Sequence, residues 1–226
     1  MDDADHAELM DRIYRHQRFI YNLTRKYYLF GRDGLIRGLN LPAGAKLVEI
    51  GCGTGRNLIK IARRYPEAEL FGLDASAEML KTARAAIEHA GLSHRIHLAH
   101  GYAEEMTPAT FGLDTPFDHA LFSYSLSMIP DWRAAVAAAL AALTEGGMLH
   151  AVDFADLTGL GTVGRSLLMG WLKLFHVAPR AELLTTFASA PAGTLRLLPG
   201  RYAFVLDIAK AQAISHFSAV AGLSQR

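Results

Sequence analysis

The sequence predicts an α/β fold: a mostly parallel sheet with helices on both faces that ends in an antiparallel hairpin. Three observations predict it. Short apolar runs of strand length alternate with helical segments from Lys46 to Val152, the pattern that parallel βαβ units produce. The first of these runs leads directly into Gly51-Cys52-Gly53-Thr54-Gly55, as a buried strand entering a tight turn does. Near the end, two further strand-like runs flank Pro199-Gly200, a turn signal that places them side by side and antiparallel.

In order along the chain, residues 1–45 precede the first strand and read as an N-terminal helical lid. Lys46 to Ile50 is the first strand and Asn57 to Tyr65 the first helix of the alternation. Leu70 to Leu73 is a strand, Ser76 to Ala90 a helix, Ile96 to Ala99 a strand and Ala120 to Phe122 another. Asp131 has the side chain to cap the alanine-rich helix that follows, which the pattern carries to Leu143. Gly146-Gly147 is expected to end that helix and launch a fifth strand, Met148 to Val152. Residues 46–154 then form the core, 155–192 an insertion that with the lid holds the acceptor, and 193–210 the hairpin of Leu195 to Leu198 and Tyr202 to Ile208. No repeat or linker divides the chain, so residues 1–226 read as one domain.

Composition narrows the function. A net charge of +1 is too weak a field to argue for a nucleic-acid partner. Cys52 is the only cysteine, so the chain holds no internal disulfide and reads as a protein of a reducing compartment. With no base beside it in sequence, that thiol reads as a small loop-filling side chain and not a nucleophile. The opening Met1-Asp2-Asp3 is acidic where an export signal carries positive charge, which predicts a cytoplasmic location. The apolar stretch from Ser166 to Ala178 is broken by Lys173 and is too short to cross a bilayer, although it is long enough to lie on one. His94, His97 and His100 invite a metal reading, but on a strand His97 points away from the other two, so no metal is expected.

The segment Val48-Glu49-Ile50-Gly51-Cys52-Gly53-Thr54-Gly55-Arg56 resembles the first motif of class I S-adenosylmethionine-dependent methyltransferases, whose sheet is Rossmann-like. Three glycines spaced by two let a ligand rest against main chain. A dinucleotide loop, Gly-x-Gly-x-x-Gly, needs its third glycine where this chain has Arg56, so the resemblance favours a nucleoside ligand without a pyrophosphate. Asp74 follows Gly55 by nineteen residues at the end of the second strand, where a carboxylate accepts hydrogen bonds from ribose hydroxyls. The resemblance implies S-adenosyl-L-methionine as cofactor, with Glu49, Gly51, Cys52, Gly53, Gly55, Asn57 and Asp74 around it and Ala75 and Met79 against the adenine. It implies that Ala103 reads the ring edge and that Glu104 takes over the amine contact, because Tyr102 stands where the family commonly has aspartate. Phe122 and Ser123, at the end of the fourth strand, complete the cofactor set, and Ser123 and Tyr124 face the transferred methyl.

The acceptor is read from the flanking segments. Arg12 to Arg37 holds seven Arg or Lys against one acid, Asp33, interleaved with aromatic and aliphatic residues. Arg165 to His176 repeats the character. Such segments suit an anionic membrane surface, on the inner face of the membrane. Tyr14-Arg15-His16-Gln17-Arg18-Phe19-Ile20-Tyr21, Tyr27 to Asp33, Phe122 to Pro130 and Phe175 to Arg180 resemble the N-methyltransferases that make betaine lipids by trimethylating diacylglyceryl-homoserine. That resemblance implies a lipid substrate with a primary amine headgroup and an enzyme that supplies it. Tyr14 and Tyr21, one helical face seven residues apart, are with Ser123 and Tyr124 the candidate catalytic residues, and His150 and Asp153 are held in reserve. Phosphatidylethanolamine and a quinone ring carbon are alternative acceptors. A non-catalytic adenosylmethionine- or lipid-binding module is a further alternative, and a nicotinamide oxidoreductase is opposed by Arg56 and the terminal hairpin.

Overall fold

The computed structural model describes residues 29–173, 180–189, 191 and 194–223. Along the chain run α1 (Arg32–Gly38), β1 (Lys46–Ile50), α2 (Arg56–Arg64), β2 (Glu69–Asp74), α3 (Ala77–His89), β3 (Ile96–His100), β4 (Phe117–Ser123), α4 (Trp132–Ala141) and β5 (Leu143–Phe154). They are followed by α5 (Gly161–Lys173), α6 (Ala181–Ala188), β6 (Leu195–Leu197), β7 (Ala203–Ala209) and α7 (Lys210–Leu223). The strands form one sheet in the order β3-β2-β1-β4-β5-β7-β6. β1 through β5 pair in parallel, whereas β7 runs antiparallel to both β5 and β6. The expected mostly parallel Rossmann-like sheet with its terminal hairpin is the sheet observed.

Two apolar layers sandwich it. On one face Leu47, Leu121, Val152 and Val205 pack with Leu58 and Ile61 of α2, Leu80 and Ala83 of α3, and Leu35 and Ile36 of α1. On the other, Val48, Ile50, Phe122 and Phe204 pack with Trp132 and Val136 of α4 and with Leu183 and Phe187 of α6. Strands covered on both faces read as continuous apolar runs, which is why Lys46–Ile50 was visible in sequence. The cap of α3 is local chemistry: the Ser76 hydroxyl accepts from the Met79 amide at 3.3 Å. Asp131 caps α4 as expected, accepting from the Ala134 amide at 3.0 Å.

One expectation is corrected. Gly146-Gly147 does not end α4, which stops at Ala141 with a right-handed cap at Ala142. β5 has already begun at Leu143, and the glycines lie inside it, at the register shift where Phe117 faces Leu143 and His119 faces Met148. A Cβ on Gly147 would sit 2.9 Å from both the Leu143 Cβ and the Thr144 carbonyl, so that glycine serves a bulge and not a helix stop. Within 155–192, α6 packs into the core. Leu183, Leu184 and Phe187 of α6 are buried in the second apolar layer, where each contributes about 1.5–3 kcal/mol of burial. Among the described residues no helix is long and apolar enough to cross a membrane.

Candidate functional site

The strand order reverses direction between β1 and β4. A doubly wound sheet leaves its ligand crevice there, beyond the carboxyl ends of the strands. Gly51 continues β1 into this crevice and Ser123 ends β4 beside it. The glycine loop folds back onto the end of β2: the Gly51 and Cys52 amides donate to the Leu73 carbonyl at 2.8 and 3.0 Å. Gly51, Gly53 and Gly55 have φ of 75°, 55° and 71°, left-handed values that a side chain strains. Space forbids one at Gly51 as well, where a Cβ would fall 2.5 Å from the Ser125 Cβ, and a Cβ on Gly55 would crowd the Ala83 Cβ at 3.2 Å. Gly55 thus supplies the close helix packing for which the dinucleotide loop uses its third glycine.

Two cavities adjoin at Gly51 and Gly53. The larger, about 470 Å³, is lined by Asp74, Ala75, Met79, Tyr102, Ala103 and Glu104 and closed by Tyr124, Ser125, Met128, Ile129 and Pro130. The smaller, about 40 Å³, is lined by Arg32, Glu49, Cys52, Thr54, Arg56, Asn57 and Ser123. In the larger, Asp74 Oδ2 accepts from the Gly53 amide at 2.7 Å and Oδ1 from the Ser76 amide at 2.9 Å. Each oxygen keeps a second lone pair for a hydroxyl donor. In the smaller, the Asn57 amide donates to Glu49 Oε1 at 2.7 Å, which orients a buried carboxylate. Arg32 and Arg56 bring cations to the same space, so the small cavity offers both charges to a zwitterion, as an amino-acid moiety is. The cradle that a Cβ at Gly51 would fill, and the two chemistries of the two cavities, fit a nucleoside joined to an amino acid, as in adenosylmethionine. Ser123 Oγ is buried and has no hydrogen-bond partner among the described residues.

Several candidates are placed otherwise than the sequence implied. Phe122 lines neither cavity; its ring lies in the second apolar layer, since successive residues of β4 face opposite sides of the sheet. Ser123 lines the smaller cavity, and Tyr124, just past the end of β4, lines the larger. The Tyr124 hydroxyl donates to the Phe30 carbonyl at 2.6 Å, so its proton is committed to backbone. Cys52 is buried, and desolvation, reinforced by Glu49 and Asp74, pushes its thiol well up, which disqualifies it as a nucleophile. His150 does not reach the crevice: it lies between His119, Nδ1 to Nε2 at 3.0 Å, and Asp207, at 2.7 Å. Asp153 is fully buried and accepts from the Ser127 amide at 3.0 Å and the Phe154 amide at 2.8 Å. It holds the loop that roofs the larger cavity and is not itself in the wall. His97 stacks on Phe71, while His100 Nε2 lies 3.0 Å from the Ala75 carbonyl. Tyr14 and Tyr21 lie outside the described residues.

Arg32, Thr54, Arg56 and the roof from Ser125 to Pro130 were not read as site residues from sequence. Arg32 sits in a segment whose basic and aromatic residues suggested a membrane surface, and only the tertiary fold carries it to the glycine loop. The roof is tied to the insertion: Arg180 donates to the Pro130 carbonyl at 3.1 Å, and Trp132 Nε1 donates to Glu182 at 2.6 Å.

Comparison with known proteins agrees with this geometry. Residues 47–147 match a family described as methyltransferase domain. Over 155 residues the chain is 26% identical to a demethylmenaquinone methyltransferase of Listeria welshimeri, covering 68% of this chain and 60% of that protein. It is 27% identical over 140 residues to one of Geobacillus kaustophilus, covering 62% and 58%. The chain thus spans about 60% of the length of the curated relatives it matches. A solved structure of a SAM-dependent methyltransferase from Aquifex aeolicus superposes with a TM-score of 0.57 at 14% identity, over 82% of this chain and 92% of that one, which shows the shared fold. The fold is the one that class I methyltransferases share, and residues 47–147 resemble a methyltransferase domain. The two cavities and the pinned Asp74 carboxylate fit S-adenosylmethionine as cofactor.

Proposed function

We propose that the protein transfers methyl groups from S-adenosylmethionine to the amine of a lipid headgroup, with diacylglyceryl-homoserine as the acceptor and its trimethylated betaine lipid as the product. The observation that supports this reading most is the apolar rim beside the cofactor crevice. Met128, in the wall of the larger cavity, is 47% exposed, and Phe30, whose carbonyl binds Tyr124, is 57% exposed. Apolar side chains facing water at a cavity mouth suit an acceptor with acyl chains. The likeness of Tyr14 to Asp33 and of Phe122 to Pro130 to the betaine-lipid enzymes points to the amine.

Bound adenosylmethionine supplies a methyl on a sulfonium centre, open to in-line attack. A neutral amine needs positioning and exclusion of water more than acid-base help. Asp74 and the glycine loop hold the nucleoside, and the roof from Ser125 to Pro130 excludes water from it. Tyrosine faces hold the cation that builds up over successive transfers, and Tyr14 and Tyr21 are proposed for this role. An anionic membrane surface and a partner enzyme that supplies the lipid complete the proposal, at the inner face of the membrane.

A second reading, methylation of a quinone ring carbon, is supported by the demethylmenaquinone methyltransferases among the relatives. One experiment separates the two. Labelled methyl transfer is followed with purified diacylglyceryl-homoserine, phosphatidylethanolamine and demethylmenaquinone in separate reactions. Label in the homoserine lipid alone carries the proposal; label in the quinone overturns it in favour of the second reading.

A further inference from the structure

Tyr124 lines the larger cavity and is hydrogen-bonded to the segment that leads to the smaller one. Its backbone is in the left-handed region, φ 56°, which a bulky residue adopts only when its surroundings enforce it. Three contacts do so. Its amide donates to the Val152 carbonyl at 2.7 Å, its ring meets Phe154 edge-on at 4.8 Å, and its hydroxyl donates to the Phe30 carbonyl at 2.6 Å. The body of the side chain lines the larger cavity. The hydroxyl points instead to the backbone that leads into α1.

That backbone is held tightly. Leu29 is buried, Phe30 packs edge-on against Tyr202, and Gly31 is left-handed at φ 88°, with no room for a Cβ, which would lie 2.8 Å from Leu198. Two residues beyond the bonded carbonyl stands Arg32, whose Nε donates back to the Leu29 carbonyl at 3.3 Å and whose side chain lines the smaller cavity with Glu49, Asn57 and Ser123.

We infer that the Tyr124 hydroxyl is a positioning group: through the Phe30 carbonyl it sets the segment that aims Arg32 at the amino-acid end of the cofactor. This rests on adenosylmethionine as cofactor and is independent of the acceptor. One residue thereby joins the two ends of the cofactor site, with its ring at the nucleoside and its hydroxyl, by way of Arg32, at the carboxylate. A tyrosine that merely satisfied its hydroxyl would have no such directional effect.

Two ligands tell these apart. S-adenosylhomocysteine carries the amino-acid portion, and 5′-methylthioadenosine is the same nucleoside thioether without it. Binding of both is measured by calorimetry for wild type, Tyr124→Phe, Arg32→Ala and the double variant. Tyr124→Phe keeps the ring and is expected to weaken S-adenosylhomocysteine about three- to tenfold, the range of one neutral hydrogen bond, and to leave methylthioadenosine unchanged. Arg32→Ala is expected to weaken the first ligand at least as much and again spare the second, and the double variant to be no weaker than Arg32→Ala. Equal losses for the two ligands in Tyr124→Phe, no loss, or additive losses in the double variant overturn the inference. Should Tyr124→Phe fail to fold, Arg32→Ala alone decides, because an unchanged ratio of the two affinities removes the role assigned to Arg32. Wild-type protein that binds neither ligand would overturn the cofactor assignment itself.

Discussion

The carboxyl ends of β1 and β2 and those of β4 and β5 build the same crevice by different means. At the first, main chain makes the site: a loop of three left-handed glycines folds onto Leu73 through the Gly51 and Cys52 amides, and the Asp74 carboxylate is pinned by two amides. At the second, side chains make it: Ser125 donates to the Ile50 carbonyl at 2.7 Å, Asp153 holds Ser127, and Tyr124 reaches Phe30. A main-chain site tolerates almost no change at its glycines, because strain opposes a side chain at all three and space forbids one at Gly51. A site of side chains is graded, since each group has its own partner and its own cost. The first half should therefore fail abruptly on substitution and the second by increments.

The abrupt limit is tested at Gly51. Gly51→Val forces a side chain onto Ser125 and strains a left-handed φ, and S-adenosylhomocysteine binding is expected to vanish in calorimetry. Gly53→Val should do the same through strain at its own φ of 55°. Retained affinity in both would break the comparison. Asp74→Ala comes next. It removes acceptors for the ribose and leaves the Gly53 amide without the partner it has in the structure, at about 1.5–3 kcal/mol for each charged hydrogen bond lost. A graded loss is expected even though Asp74 lies in the main-chain half, because what is removed is a side chain.

This difference also explains what was legible in the sequence. Glycines at left-handed positions and a strand-end carboxylate leave a mark on composition, so the loop and Asp74 could be read directly. So could the alternation of strands and helices and the Pro199-Gly200 turn. Phe122 was misplaced because its face depends on strand register, and Gly146-Gly147 because a bulge and a helix stop call for the same residue. Arg32, Tyr124 and Asp153 act through contacts between residues distant in sequence, which no local pattern displays. The acceptor was approached through the basic aromatic segments and through likeness, and Tyr14 and Tyr21, proposed to face it, lie outside the described residues.

Away from the crevice, the buried pair on β4 and β5 predicts a pH effect on stability. With Asp207 ionised, His150 donates from Nδ1 and presents Nε2 to the His119 Nδ1 proton. Burial, aided by the neighbouring His150, lowers His119 from 6.5 to about 4. An unfolded chain takes up this proton near 6.5 and the folded one resists until about 4. The contribution is thus fully present above 6.5 and is lost as pH falls to about 4, by at most about 3 kcal/mol. Urea titrations at pH 7, 5.5 and 4.5 should show falling stability, and His119→Gln should flatten that fall. A slope unchanged by the substitution would remove His119 as its cause.

The smallest effect expected on stability is the most informative about chemistry, and it compares two serines one residue apart from Tyr124 on either side. Ser125 packs on Gly51 and donates to the Ile50 carbonyl at 2.7 Å, so Ser125→Ala should cost about 1 kcal/mol, the net worth of a satisfied hydrogen bond. Ser123 Oγ is buried at the smaller cavity with no partner among the described residues. A hydroxyl buried without a partner costs desolvation and gives nothing back, so Ser123→Ala should leave stability unchanged or raise it slightly. Such a residue is worth keeping only if its partner arrives with the ligands. Ser123→Ala is therefore expected to lower turnover in the labelled-methyl assay while urea unfolding stays at the wild-type midpoint, and Ser125→Ala to shift the midpoint with a smaller effect on turnover. If both variants lose stability and neither loses turnover, the Ser123 hydroxyl is packing, and the chemistry of the side-chain half must be sought in Tyr14 and Tyr21 alone.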